Sequence, residues 1–183
     1  MGPVSEPAKP SVGIVETRIA TVFGDGDPMV TRSGGILERV DVAYETYGTL
    51  NADHSNAVYI CHALTGDAHA AGFHEGDDRP GWWDNIIGPG RPIDTDRWFV
   101  VCSNILGGCQ GTTGPASVNP ATGEPYALDF PLLHMEDFVE VHRRLARHLG
   151  IEKFAAVVGG SLGGMQVLQW ALSYPAEVGR AVV

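Results

Sequence analysis

One stretch constrains the fold more than any other: Val157-Val158-Gly159-Gly160-Ser161-Leu162-Gly163-Gly164-Met165, an apolar run that enters a Gly-x-Ser-x-Gly turn and leaves as a helix-forming segment. A serine held at such a strand-to-helix turn has cramped backbone angles, so its neighbours must be nearly free of side chains. Gly159, Gly163 and Gly164 supply that space, which pushes the Ser161 hydroxyl into the open. The pentapeptide alone is a weak signal in a chain with 24 glycines, and its context carries the reading. Phe154 to Val158 is a short apolar run of strand type. Leu162 to Tyr174 places Leu162, Met165, Leu168, Gln169 and Leu172 at helical spacing before Pro175 closes the segment.

The rest of the chain fits the same plan. Met1 to Gly13 holds three prolines and no periodicity and reads as a flexible leader; residues 14–183 read as one folded unit. Glu16 to Phe23 and Ile36 to Tyr47 predict two strands of an antiparallel hairpin with one wet face, because Val40, Val42 and Tyr44 alternate with Arg39, Asp41, Ala43 and Glu45. Ala57 to Cys61 and Trp98 to Cys102 are instead nearly continuous apolar runs, as strands covered on both faces should be. Between His134 and Gly150, Met135, Phe138, Val139, His142, Leu145, Ala146 and Leu149 keep helical spacing, with Gly150 as the C-terminal cap. Strand, helix, strand, turn, helix is the order of an α/β domain with a mostly parallel, doubly wound sheet whose crossover helices cover it. Ala176 to Val183 reads as a turn and the start of a further buried strand, so the domain is expected to be incomplete at its C-terminus.

Charge narrows the partners. A formal net charge of −10 with only 12 Lys and Arg, and no basic run, argues against nucleic acid or an anionic membrane and leaves a small molecule as the expected ligand. Three cysteines, Cys61, Cys102 and Cys109, are an odd number, and the N-terminus lacks a secretory signal, so a reducing cytoplasm is expected. No apolar run approaches the roughly 20 residues needed to span a bilayer.

An activated serine needs a base for its proton and donors for the oxyanion that forms on an acyl carbonyl. The donors usually come from the backbone N–H after the nucleophile, here Leu162, and from a loop after an earlier parallel strand. His62-Ala63-Leu64-Thr65-Gly66 follows the strand at Tyr59 to Cys61 and suits that role. Other features are discounted. Cys109 has no nearby base or positive charge to form a thiolate. His69, His74, Asp77 and Asp78 offer metal-ligand types but no zinc or calcium spacing, so a solvated loop and no metal are expected. His142 lies on an apolar helix stripe and reads as a packed core histidine, while Trp82 and Trp83 read as buried area rather than ligand platforms.

Several blocks in order carry a resemblance: His62-Ala63-Leu64-Thr65-Gly66-Asp67, Pro80-Gly81-Trp82-Trp83-Asp84, Gly88-Pro89-Gly90, Pro92-Ile93-Asp94-Thr95, Asn104 through Pro115, and Gly159 through Met165. Together, from about Gly13 to Val183, the chain resembles the homoserine O-acetyltransferase family. The resemblance implies an α/β-hydrolase fold and transfer of an acetyl group from acetyl-CoA, as co-substrate, to the hydroxyl of L-homoserine in methionine biosynthesis, by a cytoplasmic homodimer with no bound cofactor. It further implies Ser161 as nucleophile and the backbone amides of Leu64 and Leu162 as oxyanion donors, with the glycine-rich loop around Cys109 shaping the wall of the site. In this fold the partners follow in the order Ser, then Asp or Glu, then His, whereas every histidine here precedes Ser161, so acid and base are expected beyond Val183. Rival readings keep the same serine: a succinyl donor, serine as acceptor, or an ordinary esterase. A non-catalytic fragment or binding scaffold is the alternative of another class.

Overall fold

In the computed structural model, which describes residues 11–24 and 26–183, the chain runs through β1 (Arg18–Phe23), β2 (Met29–Val30), β3 (Ile36–Leu37), β4 (Val40–Tyr47), β5 (Ala57–Cys61), β6 (Ile87–Gly88), β7 (Ile93–Asp94), β8 (Phe99–Ser103), α1 (Met135–His148), β9 (Ala156–Gly159), α2 (Leu162–Ser173) and β10 (Ala181–Val182). Six strands form the main sheet in the order β1-β4-β8-β5-β9-β10. β4 runs antiparallel to both β1 and β8, and β8, β5, β9 and β10 are mutually parallel. The apolar runs predicted as doubly covered strands are the parallel centre, with every residue of β5 buried. Most of the leader lies outside the described residues, but its end is held: Phe73 N–H donates to the Gly13 carbonyl at 3.0 Å, and Val12 packs on the core.

Three details differ from the sequence reading. Ile36 to Tyr47 is not one strand. Ile36 and Leu37 pair with β2 in a separate ribbon whose Met29 and Leu37 plug the core, and the chain restarts at Val40 to pair with β1. Second, only β1 keeps a wet face; β4 is flanked on both edges, and the loops after β5 and β8 cover Ala43 and Glu45. Third, the crossover from β5 to β8 holds no α-helix but a long loop and the β6–β7 ribbon. Residues 62–98 are punctuated by Gly66, Gly72, Pro80, Gly81, Gly88, Pro89, Gly90 and Pro92, which leave no helix-length stretch uninterrupted. Among the described residues β10 is the outer strand of the main sheet and pairs with β9.

The sheet is therefore covered by helices on one face and by loops on the other. Beneath α1 and α2, Tyr59, Phe154 and Trp170 make edge-to-face contacts among Val139, Leu145 and Val157. On the opposite face Tyr47, Val58, Ile60, Val100 and Cys102 pack with Ala70, Ala71 and Ile87 of the crossover loop. α1 starts in a capping box: Asp137 Oδ2 accepts from His134 N–H at 2.7 Å, and its Oδ1 accepts from Arg32 N–H at 2.7 Å, which ties the helix to the β2–β3 turn. It ends at Gly150, whose φ of 73° only glycine adopts without strain. Arg143 in the middle of α1 ties that helix to the turn after α2, with bonds of 2.6 Å to Glu177 Oε1 and 2.6 Å to Glu140 Oε2. No helix among the described residues is long and apolar enough to cross a membrane.

Candidate active site

β9 delivers the chain to Ser161, whose φ of 57° and ψ of −125° lie in a region that side-chain-bearing residues rarely occupy. Two glycines make the turn possible. A Cβ on Gly163 would collide with the carbonyl of Cys61, and one on Gly159 would stand 2.6 Å from the Gly163 carbonyl carbon. Gly164 is a looser fit, its nearest atoms at 3.1 Å and 3.2 Å, and nothing lies within 4 Å of a Cβ on Gly160. The sequence reading of Gly159 and Gly163 as steric necessities holds, and Ser161 is exposed. The Ser161 carbonyl accepts from Met165 N–H at 3.2 Å along the helix axis, so the Leu162 N–H of the same peptide plane points the opposite way, out of the helix N-terminus.

The second loop is fixed by hydrogen bonds. His62 Nδ1 lies 2.7 Å from the Ala63 carbonyl, which also accepts from Gly66 N–H at 2.9 Å. Turned back into its own loop, the Ala63 carbonyl directs the Leu64 N–H of the same peptide outward. His62 Nε2 accepts from Ile105 N–H at 3.3 Å, so one neutral tautomer satisfies both ring nitrogens. Burial lowers the His62 pKa and keeps it in that state. Asn104 continues the brace: its Oδ1 accepts from Ala68 N–H at 2.9 Å, and its Nδ2 donates to the Gln110 carbonyl.

Leu64, Leu162 and the glycine-rich loop meet at the C-terminal ends of β5, β8 and β9, the place where open α/β sheets bind ligands. An open cleft of about 810 Å³ lies there, walled by Leu64, Gly107, Cys109, Gln110, Leu128, Leu132 and Leu162. A second cavity of about 650 Å³, beside His54, Gly150 and Lys153, sits at the opposite ends of the strands and is remote from the serine. Cys109 is an exposed free thiol in the cleft wall, and Cys61 and Cys102 are buried and free.

Sequence reasoning missed a buried polar chain beneath the turn. Tyr59 hydroxyl lies 2.5 Å from Ser103 Oγ and 2.9 Å from His142 Nδ1; His142 Nε2 donates to Gln166 Oε1 at 2.7 Å; and Gln166 Nε2 donates to the Leu162 carbonyl at 3.2 Å. Burial pushes the His142 pKa down to about 4, so the ring is neutral and both nitrogens are committed. His142 is a core histidine, as its place on the apolar stripe predicted, and neither it nor His62 has a lone pair free for the Ser161 proton. Gln166 was the available signal, a polar residue inside an apolar helix. The expectation of a solvated loop at His69 and His74 fails, because both imidazoles point inward to the fully buried Glu45. Trp82 is partly exposed, with its indole N–H donating to the Asp67 carbonyl at 3.0 Å.

Comparison with known proteins agrees with this geometry. Residues 56–183 match the model of the alpha/beta hydrolase fold. The chain is 62% identical over 173 residues to a homoserine O-succinyltransferase of Nocardioides sp., covering 94% of this chain and 47% of that one. It belongs to the homoserine O-acyltransferase family of the α/β-hydrolase fold. A homoserine O-acetyltransferase of Methanobrevibacter ruminantium is 57% identical, with 94% of this chain and 35% of that one covered. Esterase E22 superposes with a TM-score of 0.83 at 44% identity, covering 90% of this chain and 46% of that structure. The chain thus spans about half or less of the length of these family members. Homoserine O-acetyltransferases and homoserine O-succinyltransferases both stand among them.

Proposed function

We propose that this chain supplies the nucleophile half of a cytoplasmic enzyme that moves an acetyl group from acetyl-CoA to L-homoserine, a step of methionine synthesis. Ser161 Oγ attacks the thioester carbonyl, a C–O bond forms as the C–S bond breaks, and the CoA thiolate leaves. The homoserine hydroxyl then attacks the acyl-serine and returns the hydroxyl to Ser161. The amides of Leu64 and Leu162 stabilise the oxyanion in both steps. The base and its acidic partner are assigned to the part of the relatives that this chain does not span. The observation that carries the reading is the exposed Ser161 at φ 57°, next in the chain to Leu162, which lines the cleft.

Acetyl as the donor is supported by the likeness to the homoserine O-acetyltransferase of Methanobrevibacter ruminantium, and the likeness to the Nocardioides homoserine O-succinyltransferase supports a succinyl donor instead. A hydrolytic reading is favoured by the likeness to esterase E22 and differs only in whether water or homoserine takes the acyl group.

A chimera of residues 14–183 with the remainder of the Nocardioides relative tests this directly. Expected are CoA release from acetyl-CoA and O-acetylhomoserine as product, with Ser161→Ala lowering turnover about 10⁴-fold or more. Free acetate without homoserine points to hydrolysis, succinyl-CoA preference reverses the donor, and substantial turnover by Ser161→Ala removes Ser161 from the reaction.

A further inference from the structure

Away from the cleft, Glu45 on β4 meets two imidazoles from the loop after β5. His69 Nδ1 lies 3.0 Å from Glu45 Oε2, and His74 Nε2 lies 2.7 Å from Glu45 Oε1. The rings stack 3.9 Å apart at 30°, so both present a nitrogen to the same carboxylate. One ligand atom from each of the three residues lies within 4.8 Å of the others. Glu45 is fully buried, and among the described residues its ion-pair partners are these two histidines alone. The Thr17 and Tyr47 hydroxyls also donate to its carboxylate, at 2.8 Å and 2.9 Å. A buried anion without Lys or Arg is an unusual arrangement, and a cation would complete it.

Three further observations favour a metal over hydrogen bonding alone. Asp77 Oδ2 stands 3.6 Å behind His74 Nδ1, the placement of the carboxylates that orient metal-bound imidazoles. Tyr47 has one hydroxyl proton and two acceptors, Glu45 Oε2 and the Ala68 carbonyl, both at 2.9 Å, so Glu45 can release that bond at no loss to Tyr47. His74 is about one-third exposed, which gives an ion a way in. Tetrahedral bonds of about 2.1 Å put ligand atoms about 3.4 Å apart, so the contacts of 3.0 Å and 2.7 Å, made to the two separate oxygens of Glu45, need to open by about half an ångström as the ion settles on one of them.

We propose that Glu45, His69 and His74 form a binding site for a zinc-class divalent transition-metal ion, held by one carboxylate oxygen, His69 Nδ1 and His74 Nε2, with the fourth position left to water or the Thr17 hydroxyl. Imidazole and carboxylate ligands suit zinc, cobalt, nickel or copper rather than calcium or magnesium. The ion clamps β4 to the loop that carries Leu64, so its role is structural.

Calorimetric titration of the purified 183-residue chain with zinc chloride tests the site. Expected are one tightly bound equivalent and a raised Tm. His74→Ala and Glu45→Gln should each weaken binding at least tenfold, and Asp77→Asn about tenfold or more. Cys109→Ser, which removes the exposed thiol, should leave binding unchanged. If Glu45→Gln does not fold, His74→Ala decides, since that side chain is partly exposed. Zinc binding by the parent chain no tighter than by His74→Ala, a Tm indifferent to zinc, or loss of binding in Cys109→Ser overturns the assignment.

Discussion

The two amides proposed to face the substrate are held by opposite means. At Leu162 the backbone is forced: Ser161 sits at φ 57° because Gly159 and Gly163 let β9, α2 and the end of β5 approach closer than any side chain permits. At Leu64 nothing is forced. Its peptide is oriented by His62, Ala63 and Gly66 in one loop, and that loop is anchored to Ile105 and Asn104 in another. A steric hold tolerates changes of pH but not of volume, whereas a hydrogen-bonded hold tolerates added volume but not added protons. Experiments that perturb one quantity at a time can break this contrast.

The largest effect is expected from volume at the turn. Gly163→Ala drives a Cβ into the Cys61 carbonyl and should destabilise the chain by about 3 kcal/mol or more, measured by urea unfolding, despite a gain of about 1 kcal/mol in helix propensity. Gly160→Ala, one residue before the serine, meets nothing within 4 Å and should change stability by less than about 0.5 kcal/mol. Equal losses from the two substitutions would show that the turn is not held by close approach.

The same contrast explains what the chain discloses before it is folded. The turn is legible because its causes are local: two glycines flank Ser161 at fixed spacing, after an apolar strand and before a helix. The central strands were legible for a similar reason, since burial on both faces leaves a continuous apolar run. The breaks were less so. Leu37 and Val40 are both fully buried, and only pairing partners tell that one belongs to the β2–β3 ribbon and the other to the main sheet. The supports of Leu64 were not legible at all, because His62 finds Ile105 across 43 residues and Ala68 finds Asn104 across 36. Glu45 is hidden likewise: 24 residues separate it from His69, and no ligand spacing spans a strand and a loop that meet only after folding.

Acid is expected to have an intermediate effect, through His62 in the Leu64 loop and His142 in the buried chain beneath the turn. The His142 pKa lies near 4 in the folded chain against about 6.5 when unfolded, and burial lowers that of His62 in the same direction. A depressed histidine pKa means that the unfolded state binds the extra proton, so stability is lost as pH falls through 6.5 toward 4. His142 alone should cost about 2 kcal/mol between pH 7 and about pH 5, above the range where carboxylates begin to contribute. Urea unfolding across that range should show the loss, and His142→Gln should flatten it. A profile level from pH 7 to pH 5 would mean that the imidazole is not sealed from solvent.

The smallest effect is expected at Leu64, and it bears most directly on which atom acts there. Leu64 is 72% exposed, so Leu64→Ala removes little buried area and should alter stability by less than about 0.5 kcal/mol. If the backbone donates to the oxyanion, the side chain is dispensable, and acyl transfer by the chimera should also change little in Leu64→Ala. Leu64→Pro deletes the N–H itself, and loss of one oxyanion donor costs about 10²–10³ in turnover. The pair isolates the amide from the leucine, because both variants lose the side chain and only one loses the donor. A large activity loss in Leu64→Ala with unchanged stability would instead mean that the leucine side chain in the cleft wall holds the acyl group, and would leave the oxyanion to Leu162.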